Sequence, residues 1–397
     1  MYKIQNKKIY LDNAATTPTD PRVFKAMMPY LQDKYGNSSS QHSFGQDTMK
    51  AVNKAKNQLA DFLNCNVNEI IFTSGATESN NLAIQGYVRG LCGKSHIITS
   101  QIEHPSVLEV CKALEKQGIE VTYVDVNKDG LVDVENVKKA IKKNTVLISI
   151  MYVNNETGII QPIREIGKMV KKYNKSIRVS ASNPRLVFHT DATQAINYCN
   201  CNVKYLHVDM LSLSGHKIYG PKGVGGLYVS KNIKLLPINY GGHQENGLRA
   251  GTYNTPAIVG LGKAIEIISK PASAENKKIA GLRDKIIKEV TKKLPDIHIN
   301  GSLDNRIPSN INLSFKDVDG ESVMIMLDME GIAVSTGSAC SSGSTEPSHV
   351  LMAMGISHRL AESSIRITLG KYNTAKEINS SINKLVNVIK KLRKVSP

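Results

Sequence analysis

Three segments of this chain end apolar runs in residues that can do chemistry. Thr73-Ser74-Gly75-Ala76-Thr77-Glu78 follows one such run and opens a helical pattern. A glycine turn at a helix start offers backbone N–H groups, hydroxyls and the positive end of the helix dipole to an anion. The segment is not a GxxxxGK[ST] loop, so a nucleoside triphosphate is not its expected occupant. Taken alone, simple capping of the helix by Thr77 is the better explanation. His189-Thr190-Asp191-Ala192-Thr193-Gln194 ends a second run. A carboxylate there needs a cation or a donor, and a pyridinium N–H is one such partner. Ser212-Leu213-Ser214-Gly215-His216-Lys217 ends a third. A lysine directly after a buried strand is partly desolvated, which lowers its pKa and suits it to Schiff-base chemistry.

Singly, each segment has an ordinary structural reading. Together they supply a phosphate cradle, a carboxylate for a ring nitrogen and a Schiff-base lysine, which are the parts needed to hold pyridoxal phosphate. His104, before Pro105, adds an imidazole that could stack on the ring. Two further segments sit closer to the C-terminus. In Ser335-Thr336-Gly337-Ser338-Ala339-Cys340-Ser341-Ser342-Gly343-Ser344, seven of ten residues are Gly or Ser. That composition predicts a mobile loop, and Cys is an unusual residue to place in one. A thiolate there could attack a ligand held elsewhere. In Ser364-Ile365-Arg366-Ile367-Thr368-Leu369, Arg366 alternates with apolar residues, and a strand guanidinium facing a cleft suits bidentate carboxylate recognition.

The elements that must position these residues are legible as apolar runs: EIIFT (69–73), HIITS (96–100), VTYVD (121–125), VLISIMYV (146–153), LVFHTD (186–191) and VDMLSLS (208–214). Helical patterns at 78–89, 105–117, 133–142 and 162–173 fall between them. Runs buried on both faces and joined by helices predict a parallel α/β sheet, which binds ligands at the carboxyl ends of its strands. Pro221–Gly226 reads as a tight glycine turn. From about 265 onward, strand-like IHING, NINLSF, IAVST and SIRITLG mix with helices, the last at 376–394, after a linker near Lys270-Pro271-Ala272-Ser273. The expected organisation is a large domain over 13–264 and a smaller α+β domain made of 1–12 and 265–397.

The chain has 397 residues, 41% hydrophobic and 21% charged, which excludes wholesale disorder. Its net charge of +17 keeps acidic partners in view. Six scattered cysteines give no disulfide framework, and the Cys199–Cys201 pair lacks the further ligands of a metal site. The N-terminus lacks the apolar stretch of a signal peptide, and no run is long enough to span a bilayer, so a cytoplasmic location is expected.

The set YLDNAATT, TSGATESNN, Glu103-His104, NNETG, HTDATQA, SGHKIYGPKG, RAGTYN, GSACSS and SIRITLG resembles the cysteine desulfurases of the NifS/IscS type, over essentially the whole chain. The resemblance implies a pyridoxal-phosphate protein of the aspartate aminotransferase fold (fold type I) working as a homodimer. It implies that Lys217 carries the cofactor and shuttles protons, that Asp191 pairs with the ring nitrogen, and that Gln194 bonds the ring hydroxyl. His104 would stack on the ring and assist proton transfer. Ala76, Thr77, Ser214 and His216 would bind the phosphate, with Thr252 from the neighbouring subunit. Asn155 and Arg366 would hold the carboxylate of L-cysteine, with Asn13 in support.

By the same resemblance, Cys340 takes the substrate sulfur as a persulfide, releases alanine and passes sulfur to acceptors for iron–sulfur assembly or tRNA thiolation. No resident metal is expected, although a transient iron–sulfur ligand role for Cys340 stays open. Neither direct nucleic-acid binding nor membrane association is expected. Two departures stand out. Residues 174–188 look longer than the usual link into HTDA, and the sequence ends in KKLRKVSP without the tail that family members can use to dock a scaffold protein. The rival readings are a selenocysteine or cysteine-sulfinate lyase or a transaminase on the same fold. From another class, the rival is a basic RNA-binding or adaptor protein.

Overall fold

The computed structural model describes residues 8–91, 94–177, 185–269, 273–336 and 346–395. Twelve strands are described: β1 (Ile9–Tyr10), β2 (Ile70–Thr73), β3 (His96–Ser100), β4 (Glu120–Val124), β5 (Thr145–Ser149), β6 (Val187–Asp191), β7 (Met210–Ser214), β8 (Gly225–Val229), β9 (Ile297–Ile299), β10 (Asn310–Phe315), β11 (Ile332–Ala333) and β12 (Ser364–Thr368). Seven of them form the central sheet, in the order β2-β8-β7-β6-β5-β3-β4. All its pairings are parallel except those of β8, which runs antiparallel to both neighbours.

The inner strands of the sheet are largely apolar because both faces are covered. Ile70, Phe72, Ile98, Ile148, Phe188 and Leu211 pack into one core, on the side of the helices Ser43–Leu63 and Thr255–Ile268. Their neighbours Ile71, Ile97, Leu147, Val187 and Met210 pack into another, beneath Ala76–Val88 and Pro105–Glu115. Adjacent strand residues point to opposite faces, so a continuous apolar run feeds two cores at once. The expected runs appear as β2 to β7 with ends shifted by a few residues. The glycine turn expected at Pro221–Gly226 is shorter than the sequence suggested, because Gly225 and Gly226 already belong to β8. The sequence signal was lost because two glycines open that strand. They are needed there: a Cβ on Gly225 would lie 2.6 Å from the Leu213 carbonyl oxygen and 2.7 Å from the Gly75 backbone.

A third core lies over the three-stranded antiparallel sheet β12-β10-β9. It draws on Ile311, Leu313 and Phe315 of β10, and on the helices Ser273–Lys293, Gly320–Met329 and Ala375–Val395. Leu11 joins this core, and β1 pairs with β11 in parallel, so the N-terminal strand is folded with the C-terminal part. The helix Thr255–Ile268 packs entirely with the first core, so a boundary drawn at 264/265 falls inside it. The two parts are tied by Lys371, which lies 2.6 Å from Asp20 and 3.9 Å from the Tyr219 ring centroid.

The closeness of Gly225 to Gly75 generates a test. Gly225→Ala should destabilise the chain by about 1–3 kcal/mol, because the added methyl meets backbone on both sides. It should also loosen binding at the turn Gly75 forms. Thermal unfolding of the variant measures the first effect and titration with pyridoxal phosphate the second.

Candidate functional site

Strand ends converge on one cavity of about 500 Å³. The chain turns after β2 through Ser74 and Gly75 into the helix Ala76–Val88. Gly75 is the N-cap at φ 153°, a backbone conformation that glycine alone adopts readily, and no side chain caps this helix. Capping by Thr77 is therefore not how the helix begins. Gly75, Ala76 and Thr77 of this helix start line the cavity together with Ser214 and His216, and a helix start leaves its first N–H groups without intrahelical partners. His216 Nδ1 lies 3.1 Å from Thr16 Oγ1. Burial, with Lys217 and Lys222 alongside, lowers its pKa to about 4 and keeps the imidazole neutral.

β6 ends in Asp191, which is buried. Its Oδ1 accepts from the Thr193 N–H at 2.9 Å and its Oδ2 from the Asn80 amide at 2.7 Å. Among the described residues no cation lies within ion-pair distance of it. Behind it, His189 is enclosed between Ser149 Oγ at 2.8 Å and Ser212 Oγ at 3.0 Å, and burial drives its pKa down to about 4. Lys217 follows β7 in a single 3-10 turn, Gly215–Lys217, and its ammonium donates to the carbonyls of Ala14 and Ala15. Gln194 donates to the Ala14 carbonyl as well, at 2.9 Å. His104 caps the helix Pro105–Glu115 through Nδ1.

Arg366 reaches the cavity from β12 and is 1% exposed. Its Nη2 lies 2.9 Å from Asp12 Oδ1 and its Nη1 donates to the Asn155 carbonyl at 3.2 Å, while Nε has no partner. Asn155 lines the same space. Two further carboxyls are enclosed nearby. Glu103 Oε1 accepts from Ser100 Oγ at 2.6 Å and from the Met151 N–H at 2.9 Å, and Oε2 is left without a partner. Glu156 Oε2 accepts from Ser348 Oγ at 2.5 Å. Burial raises Glu103 to about 8 and Glu156 to about 7.

The structure thus gathers Ala76, Thr77, His104, Asn155 and Asp191 with Gln194, Ser214, His216, Lys217 and Arg366 around one cavity. Asn13 is not part of its lining. Its amide donates to the Thr368 carbonyl at 2.9 Å and so fixes the neighbouring Ala14 and Ala15. Thr252 is exposed and outside this chain's own lining. Cys340 lies outside the described residues, as does the 178–184 part of the expected excursion. The described ends of that excursion are clasped by Asn174, which bonds the Leu186 carbonyl at 2.8 Å and N–H at 2.9 Å. Burial raises the pKa of the thiols of Cys65, Cys111, Cys199 and Cys201, which makes poor nucleophiles of them.

Asp12, Asn80 and Ser106 were not singled out by residue type or spacing. Asp12 and Asn80 stand inside recognised motifs, YLDNAATT and TSGATESNN, and that was the signal available. Ser106, two residues after His104, carried none. The donor set fits pyridoxal phosphate. An uncapped helix start offers N–H groups to the phosphate, and a lysine follows β7. At the cavity's floor, a buried carboxylate with only neutral donors suits a pyridinium N–H.

The enclosed carboxyls set a pH dependence. Between the ordinary value of 4.5 and about 8, folded Glu103 keeps a proton that the unfolded chain has released. The folded state then binds more protons, so stability falls as pH rises through that window. Glu103→Gln should flatten the decline, and melting temperatures measured from about pH 5 to pH 8 would show it. An unchanged slope in the variant would remove Glu103 as its source.

The class-V aminotransferase family matches residues 9–380. A cysteine desulfurase IscS of Dictyoglomus turgidum is 49% identical over 98% of this chain and 97% of its own. The solved structure of a NifS-like protein superposes with a TM-score of 0.89 at 37% identity, covering 96% of this chain and 99% of its own. That of SspA in complex with cysteine superposes at 0.80 with 40% identity, covering 92% and 100%. With this fold, this cavity and relatives matched end to end, the chain belongs to the class-V aminotransferase family, among the cysteine desulfurases of the NifS/IscS type.

Proposed function

We propose that this chain is an L-cysteine desulfurase, forming L-alanine and a persulfide on Cys340. The observation that carries this is the meeting of Lys217, Asp191 and Arg366 in one cavity, in a chain so similar to enzymes of that name. Lys217 would hold pyridoxal phosphate, with Ala76, Thr77, Ser214 and His216 at its phosphate, Gln194 at its hydroxyl and His104 over its ring. When bound, the cofactor supplies an electron sink for the substrate's carbon bonds.

The chain's own groups do the rest. Arg366 pairs with the substrate carboxylate, and Asn155, whose carbonyl it already holds, lines the same end. Arg366 is already charge-paired with Asp12, so an incoming carboxylate meets a guanidinium with its Nε free and little water around it. Lys217 takes and returns protons beside the carbonyls that now hold its ammonium. The Cys340 thiolate attacks the substrate sulfur; an S–S bond forms as the C–S bond breaks. The carbon keeps the electron pair of that bond and gains a proton, which completes alanine.

We infer further that the chain works in the cytoplasm as a homodimer, with Thr252 reaching the neighbouring site. Phe24, Leu31, Tyr35 and Phe44 are exposed in the single chain, which favours a covering partner. The persulfide would pass to an iron–sulfur scaffold or a tRNA-thiolation enzyme.

The decisive test measures sulfide and alanine released from L-cysteine with a reductant, alongside the visible spectrum. Wild type should give them in equal amounts. Cys340→Ser should lose both while keeping the visible band, and Lys217→Ala should lose the band itself. Undiminished turnover by Cys340→Ser would instead indicate a lyase or transaminase. Arg366→Lys should raise KM for cysteine about tenfold or more, since it forfeits a charge-assisted fork that ammonium cannot replace. An unchanged KM would place the substrate carboxylate elsewhere.

A further inference from the structure

Three buried side chains, Asp191, Asn80 and Ser106, and the half-buried His104 form a hydrogen-bonded chain beside the cavity whose direction can be read. Asp191's carboxylate only accepts. The group Asn80 places 2.7 Å from its Oδ2 must therefore be the amide NH2. The same nitrogen lies 2.8 Å from Ser106 Oγ and gives that oxygen its second hydrogen. Ser106 Oγ, having accepted, has one hydrogen to donate, and His104 Nδ1 lies 2.8 Å away. The Ser106 backbone N–H donates to the same Nδ1 at 3.1 Å. A ring nitrogen that accepts from both carries no hydrogen.

We propose that Asn80 and Ser106 are positioning residues that hold neutral His104 as its Nε2–H tautomer, so that it meets the cavity as a proton-bearing donor. The role given to His104 rests on the desulfurase reading above; the tautomer itself does not. Asn80 Oδ1 supplies an independent observation, because it is buried without a partner. Turning the amide over would offer that oxygen the Ser106 hydroxyl but set it against the Asp191 carboxylate. The chain accepts an unsatisfied oxygen because the alternative is repulsion between two acceptors. Asp191 thus fixes the amide, the amide turns the hydroxyl hydrogen away from itself, and the hydroxyl and the Ser106 N–H together fix the imidazole.

Protonating His104 would need a hydrogen on Nδ1. The Ser106 hydroxyl would have to turn away, and Asn80 already directs a hydrogen at that oxygen. Burial opposes the imidazolium too and lowers the His104 pKa. Asp191 acts in the other direction, while Lys217, His349 and Arg366 act with burial. His349 approaches from the C-terminal part, with its Nε2 3.0 Å from the Glu103 carbonyl oxygen.

The test uses the full-length chain with ¹⁵N-labelled histidine, with and without pyridoxal phosphate. The His104 signals are identified by their loss in His104→Gln. Wild type should show Nδ1 as an unprotonated, pyridine-like nitrogen and Nε2 as a protonated, pyrrole-like one. Ser106→Ala should shift the His104 titration midpoint upward, and Ser106→Thr should restore it. Asn80→Leu should leave Nδ1 partly protonated, since the amide hydrogen that keeps the Ser106 hydroxyl turned toward Nδ1 is then gone. A proton on Nδ1 in the wild type, or one midpoint shared by wild type and Ser106→Ala, overturns the proposal. Should Asn80→Leu not fold, the Ser106 pair decides alone. Absent sulfide release with the tautomer intact would sink the desulfurase reading and leave this assignment standing.

Discussion

A carboxylate at the end of a buried strand needs compensation, and much of the cavity is arranged around that need at Asp191. Its two donors are neutral and come from different places: Thr193 from the turn it begins, and Asn80 from the helix that opens the phosphate cradle. Neither neutralises its charge. The side chain is therefore stabilised enough to fold and left able to take a cationic N–H from a ligand. Because Asn80 lies one turn past Ala76 on that helix, the cradle and the carboxylate are held in fixed relation by a single rigid element.

The far side of the cavity is built differently. Arg366 is supplied by a strand of the C-terminal part, and Asp12, which pairs with it, by the N-terminal segment that pairs with that part. Here charge is balanced before any ligand arrives. Ala14 and Ala15 follow Asp12 closely and lend their carbonyls to Lys217. The segment from Asp12 to Ala15 therefore links the guanidinium to the lysine. A substrate lying between them would be held at both ends by groups that share one backbone segment, which suits precise placement of its reacting bonds.

The enclosed carboxyls Glu103 and Glu156 belong to the same arrangement of polar groups. Glu156 holds Ser348, and the carbonyl of Glu103 holds His349. Ser348 and His349 stand just after the segment that contains Cys340, and these two contacts join their stretch to the large part. Net charge has a plainer reading. Among the described residues four lysines form i,i+3 pairs on helices, such as Lys112 with Glu109 and Lys138 with Glu135, where they are solvated and contribute little.

The sequence by itself determined six strands of the central sheet, because strands buried on both faces are mostly apolar and so stand out. It also showed which motifs end those strands, and with them Asp191 and Lys217, and it set Arg366 within a separate strand. It did not reveal β8, since its two leading glycines carry no strand signal and their reason is the backbone they must pass. Tertiary structure alone decided that Arg366 is paired with Asp12, 354 positions away, and that Asn13 bonds backbone instead of lining the cavity. It alone decided the run from Asp191 through Asn80 and Ser106 to His104. Hydrogen-bond direction depends on which atoms face one another across separate elements, and no local pattern of residue types encodes that.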